Sequence, residues 1–283
     1  GERDWEHFLA RLPRQLQRLA RLGVNYRLPD VRGVGADRLT LGDAVRLRLR
    51  APVPGGVIRY TLDGTDPTRE SPAYAGPVTV DVGSGPVTVA ARVFTADRAG
   101  AVRRSTFRKT APGPALDLPV AVLEPGLRRE SVDGSFRSVM ELERGAQVEA
   151  GITTVIGIPV RPARPSDVRG DEVSGRGRDA PFGLRFTGYL WVPEDAIYTF
   201  RLSSDDGSAL FIDHRRVVDN DGLHGVLEAT GQAALAEGLH RFELRYFDAG
   251  GGEALEVGVG IGESEPGPIP ATWLHHYPRP LRR

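Results

Sequence analysis

The sequence predicts a mainly β protein: two β-sandwich domains preceded by one amphipathic helix. Three observations carry this. Apolar residues recur at helical spacing only near the N-terminus. Beyond residue 30 they alternate with polar ones in short runs bounded by Gly, Pro and Asp, with no helical pattern between the runs. Glycine (35) and proline (22) are abundant, which favours short strands and turns over long helices. At 283 residues the chain accommodates about two domains, each able to bury a core.

The helix lies in "DWEHFLARLPRQLQRLARLGVNYRLPD". Trp5, Phe8, Leu9, Leu12, Leu16 and Leu19 fall on one face, with Arg and Gln on the other. Pro13 should kink it, Gly23 should cap it and Pro29 prevents its resumption. Such a stripe must pack against the first sandwich or a second chain.

From 30 to 110 the period changes to two. Val45, Leu47 and Leu49 point one way and Arg46, Arg48 and Arg50 the other. The runs "VIRYTLDGTDPT", "PVTVDV" and "VTVAARVFT" add strands between turns, with Asp63-Gly64 and Asp66-Pro67 as tight turns. "TAPGPALDLP", spanning 110–119, has little to bury and reads as a linker that leaves 120–283 as the second sandwich. Within that part, the Gly/Arg/Pro-rich stretch 161–181 reads as a long surface loop.

Composition narrows the function classes. Basic and acidic residues balance at 37 each, so there is no electrostatic case for nucleic acid or an acidic membrane surface. With no cysteine there is neither a disulfide framework nor a thiolate metal site. No apolar run approaches the roughly 20 residues needed to span a bilayer, and the N-terminus has no signal-peptide pattern. Any export signal is expected to lie outside this chain.

Strand directions predict where the acids meet. If 185–192 runs from one end of the sandwich to the other, 197–204 returns, 208–213 goes out and 216–219 comes back. With 227–235 and 239–247 as the next up-and-down pair, one rim collects Asp205, Asp206, Asp219, Asn220, Asp221 and Asp248. Such an oxygen-rich set suits calcium, which takes about six to eight oxygen ligands in flexible geometry. The alternative is that Asp206-Gly207 forms a type I′ hairpin turn and the other acids are simply solvated. No Trp is expected at that end, Trp191 falling near the other; Phe182 and Phe247 are the nearby aromatics.

Three stretches resemble known families, in order. Residues 1–29, with the exit "LGVNYRLP", are similar to the terminal helix of the catalytic barrel in family-20 β-N-acetylhexosaminidases. "YTLDGTDPT" resembles the fibronectin/immunoglobulin-like domain that follows that barrel. "GYLWVPEDAIYTF", "SDDGSALFID", "VVDNDG" and "GLHRFELRYF" resemble the protective-antigen-type (PA-fourteen) domain. The last resemblance implies that Asp205 and Asp206 form the adjacent pair that holds calcium, with Asn220 or Asp221 as partner by loop position. Asp219, His224 and Asp248 are then the ligand-binding candidates of the same rim, although His224 and His240 also fit structural places in a turn and a strand.

Other motifs carry less. Asp171-Glu172 echoes the family-20 catalytic pair, yet it follows Arg169-Gly170 in a loop and lacks the upstream His. Arg169-Gly170-Asp171 is a tripeptide that recurs by chance, and His275-His276 has no further ligand spaced with it. No catalytic residue is therefore assigned.

The resemblances together imply a non-catalytic accessory region of a β-N-acetylhexosaminidase-like glycosidase, secreted, periplasmic or at the cell surface. Its partners would be a glycan, N-acetylhexosamine-containing or otherwise, and the missing catalytic barrel. The rival is a structural module that docks on the catalytic domain or on a partner chain. A third is a processed half or subunit that completes an enzyme on another polypeptide.

Overall fold

Helical periodicity near the N-terminus produces a helix. The computed structural model describes residues 11–159, apart from 13, 17 and 20, and residues 180–278; the described residues between 11 and 21 are helical. Leu12, Leu16 and Leu19 are half-buried while Arg11, Arg14, Gln15 and Arg18 are exposed, and Leu16 packs on the first domain's core. Gly23 adopts φ +67° and lets Val24 N close back on Leu19 O at 3.0 Å, the hydrogen bond that ends the helix. Trp5, Phe8, Leu9 and Pro13 lie outside the described residues.

The chain divides into two compact units at Thr110 and Ala111. In the first, β1 (Arg38–Thr40), β2 (Ala44–Leu47), β3 (Val57–Thr61), β4 (Val78–Asp81), β5 (Val87–Phe94) and β6 (Arg103–Lys109) form two sheets, ordered β1-β6-β5-β3 and β2-β4. Between them lie Leu47, Leu49, Ile58, Val80, Val89 and Phe107, the alternate residues of their strands. The turn in "YTLDGTDPT" closes on itself: the Asp63 carboxylate accepts from Thr65 N (3.0 Å), Gly64 takes φ +77°, and Asp66 pairs with Arg104.

In the second unit the strands are β7 (Glu124–Pro125), β8 (Leu127–Asp133), β9 (Ala146–Thr153), β10 (Phe182–Val192), β11 (Ala196–Asp205), β12 (Ser208–Ile212), β13 (Arg215–Asn220), β14 (Leu227–Leu235), β15 (Gly238–Asp248), β16 (Ala254–Ile261), β17 (Gly267–Pro268) and β18 (Leu274–His276). The larger sheet runs β13-β12-β15-β10-β18-β7, with β8 also on β10 and β9 on β8; the smaller runs β14-β11-β16-β17. Phe186, Leu190, Tyr198, Phe200, Phe242 and Tyr246 fill the space between them. The stretch 111–119 is attached to this unit, with Gly113 N bonded to Ala234 O and Leu116 N to Leu239 O, each at 2.8 Å. Most of the loop expected over 161–181, with Arg169, Asp171 and Glu172, lies outside the described residues.

Consecutive strands of the second unit often lie in opposite sheets, as β10 and β11, β11 and β12, β13 and β14, and β15 and β16 do. The up-and-down pair expected of 227–235 and 239–247 does not form: β14 pairs with β11, and β15 with β10 and β12. Alternation fixes which residues face the core, and strands of opposite sheets share that pattern. The type I′ geometry sits elsewhere too. Asp213 (φ 49°) and His214 (φ 64°) make the two-residue turn between β12 and β13, a connection that does form a hairpin.

That turn is tied to β15 by Asp213. Its carboxylate accepts from Arg241 N (2.8 Å) and contacts Nδ1 of the fully buried His240 at 2.7 Å, while His240 Nε2 faces Ala236 O at 2.8 Å. Both ring nitrogens therefore face acceptors, which only the imidazolium satisfies by donating twice. Burial disfavours that charge, but the bonds to Asp213 and Ala236 outweigh it and hold the His240 pKa above its ordinary 6.5. A folded-state pKa above the unfolded value means that this contribution to stability is full below pH 6.5 and fades as pH rises through the folded value. Replacing His240 by Gln should therefore cost most in urea melts at acidic pH, and the gap to the parent chain should narrow as pH rises.

Candidate functional site

At one end of the second unit the chain crosses between sheets three times: from β11 to β12 through 206–207, from β13 to β14 through 221–226, and from β15 to β16 through 249–253. These crossings are arches, not hairpins, and they seal the mouth of the core. Asp206, almost fully buried, ties all three together: its carboxylate accepts from His224 N (3.0 Å) and from Ala249 N (2.9 Å). Gly207 O accepts from Phe247 N (2.9 Å) and Asp205 O from the Tyr246 hydroxyl (2.7 Å). The Asp205–Asp206 peptide bond is cis.

Asn220 donates Nδ2 to Ser204 Oγ (2.8 Å) and to Leu227 O (3.0 Å), which leaves Oδ1 without a partner although the residue is 3% exposed. Asp248, 1% exposed, likewise has Oδ1 unpartnered. Burial, with the negative charges of Asp206, Glu253 and Asp205, pushes the Asp248 carboxyl up to about 6 against a lowering hydrogen bond from Gly250. Asp205 has no hydrogen-bond partner for its carboxylate among the described residues, and a Cβ added to Gly252 would sit 3.2 Å from its Oδ2. The glycines of this arch thus leave room above Asp205.

The remaining rim residues have structural work. Asp221 accepts from Val139 N (2.8 Å), Gly222 N (3.0 Å) and Ser138 Oγ (2.5 Å), fastening the 3-10 helix Val139–Arg144 to the rim. Asp219 pairs with Arg216 at 3.1 Å and accepts from Asp221 N. The His224 ring faces Gly225 O (2.9 Å) and Asn220 O (3.0 Å). So Asp205, Asp206, Asn220 and Asp248 lie at the same end of the unit, each with a buried or unbonded oxygen or a bond across the arches, while Asp219, Asp221 and His224 are held by local bonds. Among the described residues no three His, Cys, Asp or Glu side chains group tightly enough to hold a metal by themselves. An ion here would draw on Asn220 and main-chain carbonyls as well.

Phe182 and Phe247 are buried in the core and offer no stacking face. Exposed apolar residues of the rim among the described ones include Leu223 and Val226, on the arch that carries His224, and Leu227, which opens β14. Sequence reading missed them because the hydrophobic residues of an arch have no period.

The double sandwich with an acid-bearing rim has clear relatives. Residues 39–102 match the chitobiase/beta-hexosaminidase C-terminal domain, and residues 163–266 match the PA14 domain. Over 243 residues, 85% of this chain, the sequence is 26% identical to the Beta-hexosaminidase of Porphyromonas gingivalis (strain ATCC BAA-308 / W83), of which the chain spans 29%. Among solved structures, the PA14 domain of MpAFP antifreeze protein is similar over 59% of this chain and 98% of that one, at 16% identity and TM-score 0.44. The PA14 sugar-binding domain from an RTX adhesin matches over 54% and 98%, at 19% identity and TM-score 0.43.

The two aspartates should behave differently in the protein without metal. Replacing Asp206 by Ala strands two main-chain N–H groups and should cost about 3 kcal/mol in urea melts. Replacing Asp205 by Ala breaks no such bond and should cost less than about 1 kcal/mol.

Proposed function

We propose that this chain is the non-catalytic C-terminal region of a β-N-acetylhexosaminidase-like glycosidase acting outside the cell, and that its arch rim binds carbohydrate with the help of calcium. The observation that carries the proposal is the pair of buried oxygens without partners, Asn220 Oδ1 and Asp248 Oδ1, beside the free carboxylate of Asp205 and the second acid Asp206. Two buried acceptors with no donor fit a cation. Asp205, Asp206, Asn220 and Asp248 are the residues that would hold it. When bound, calcium would supply open coordination positions for sugar hydroxyls. The order of the two matched domains and the relationship to the Porphyromonas gingivalis protein support the glycosidase setting. An N-acetylhexosamine-containing glycan is the first ligand to try.

A second reading has its own support. Asp206 and Asp221 already spend their carboxylates on main-chain N–H groups, which suits a rim built for stability in a module that docks on the catalytic domain or a partner.

Calcium decides between them. At a hundredfold excess over its Kd a ligand specific for the folded state adds about 2.7 kcal/mol, or roughly 5–10 °C in Tm for a unit of this size. That rise should appear with calcium, vanish with a chelator and be lost on replacing Asp205 by Asn, a change that leaves the Asp206 bonds in place. A titration series of N-acetylated and neutral sugars should then show heat only in the presence of calcium. Absence of any calcium-dependent rise would leave the structural reading.

The chain by itself should not hydrolyse chromogenic N-acetylglucosaminides, because it supplies no general acid with an acetamido-orienting partner. Turnover that survives purification and disappears on changing Asp171 or Glu172 would overturn this.

A further inference from the structure

The outer face of the larger sheet, away from the core, is covered only in part. The 3-10 helix Val139–Arg144 packs Val139 and Leu142 onto Ala209 and Phe247, and a Cβ at Gly183 would meet Leu142 at 2.1 Å. Beyond that cover lies a cleft of about 800 Å³ whose floor is β10 and β15 and whose far side includes β8 and β9. Register sets its chemistry: Thr187 stands opposite Glu243 and Arg128, and Tyr189 opposite Arg241.

The charges in the cleft do not balance. Glu243 Oε1 accepts from Nε of both Arg185 (2.8 Å) and Arg245 (2.7 Å), so one carboxylate is shared by two guanidinium groups. Arg185 keeps its two terminal nitrogens without partners among the described residues. Arg128 spends only Nε, on Glu130 at 2.8 Å. The exposed Arg241 side chain has no acidic partner among the described residues. Glu124, the other acid of the cleft, lies 3.7 Å from His276.

We infer that this cleft binds a carboxylate-bearing saccharide of one or two sugar units. A guanidinium fork matches a carboxylate with two parallel hydrogen bonds, and three forks with free ends converge here. Tyr189, whose hydroxyl is unpartnered among the described residues, and the exposed Tyr277 offer ring faces and donors for a hydroxyl-rich ring. The volume falls within the roughly 300–1,000 Å³ of small-ligand pockets. The cleft lies on a different face from the arch rim and needs no metal.

Calorimetry on the full chain, with calcium removed by a chelator, tests this with galacturonate, galactose and acetate as probes. Galacturonate should bind, and galactose and acetate should not. Arg241→Gln, at an exposed side chain, should weaken galacturonate binding roughly tenfold while leaving the melting curve unchanged, and Arg128→Gln, which also gives up the bond to Glu130, should weaken it to a similar extent. Asp205→Asn should leave galacturonate binding as it was. Silence with galacturonate, equal binding of galactose or of acetate, or binding indifferent to both arginine changes would overturn the inference. Loss of galacturonate binding in Asp205→Asn would place the site at the rim and overturn it as well.

Discussion

The second unit depends on one carboxylate. Its chain leaves one sheet and enters the other at three adjacent places, and each crossing exposes main-chain N–H groups at the mouth of an apolar core. Asp206 answers two of them at once, from His224 and Ala249, and so fixes the spacing of all three arches. Everything else at the rim is arranged around that bond. Asn220 bridges to Ser204 and Leu227, Tyr246 reaches Asp205 O, and Asp221 turns outward to fasten the 3-10 helix. A neutral residue at 206 could not accept from both sides with equal strength.

The adjacency of two acids has a cost that the arrangement divides unequally. Asp206 is spent on structure, while Asp205 keeps its oxygens free beneath a glycine arch. Asp248, buried at the core end of the same rim, holds its proton to higher pH chiefly because it is cut off from water, with the neighbouring acids adding to the effect. The rim thus combines one committed acid, one free acid and one reluctant acid.

Much of this was legible in the sequence. Alternation in 45–50, the Asp63-Gly64 turn and the Leu12/Leu16/Leu19 stripe all follow from local periods, and local periods survive folding. Gathering Asp205, Asp206, Asn220 and Asp248 at one end needed only strand direction, which reverses at each turn whichever sheet the strand joins. Partner choice was another matter. A strand with one apolar face reads the same in either sheet, so β10 gave no sign that it would pair with β15. The turn type was misplaced for a related reason: Asp206-Gly207 is a common hairpin dipeptide, whereas Asp213-His214 carries no glycine to mark its two positive φ values. The outer cleft was visible in principle, because Arg185, Glu243 and Arg241 occupy the outward positions of their strands. Outward charges on a sheet are ordinary, and it is the surrounding elements, among them β8, β9 and the end of β18, that make a cavity around them.

The switching between sheets also governs how the chain can reach this state. Arg185 pairs with Arg245 and Thr199 with Gly260, so the central ladders join segments far apart along the chain. Few hydrogen bonds reward the search until long loops have closed, which places the second unit among topologies that fold slowly for their size. The β12–β13 hairpin is the tightest of the local pairings, held by the two-residue turn at Asp213 and His214. It offers an early foothold on which β15, and after it β10, can assemble.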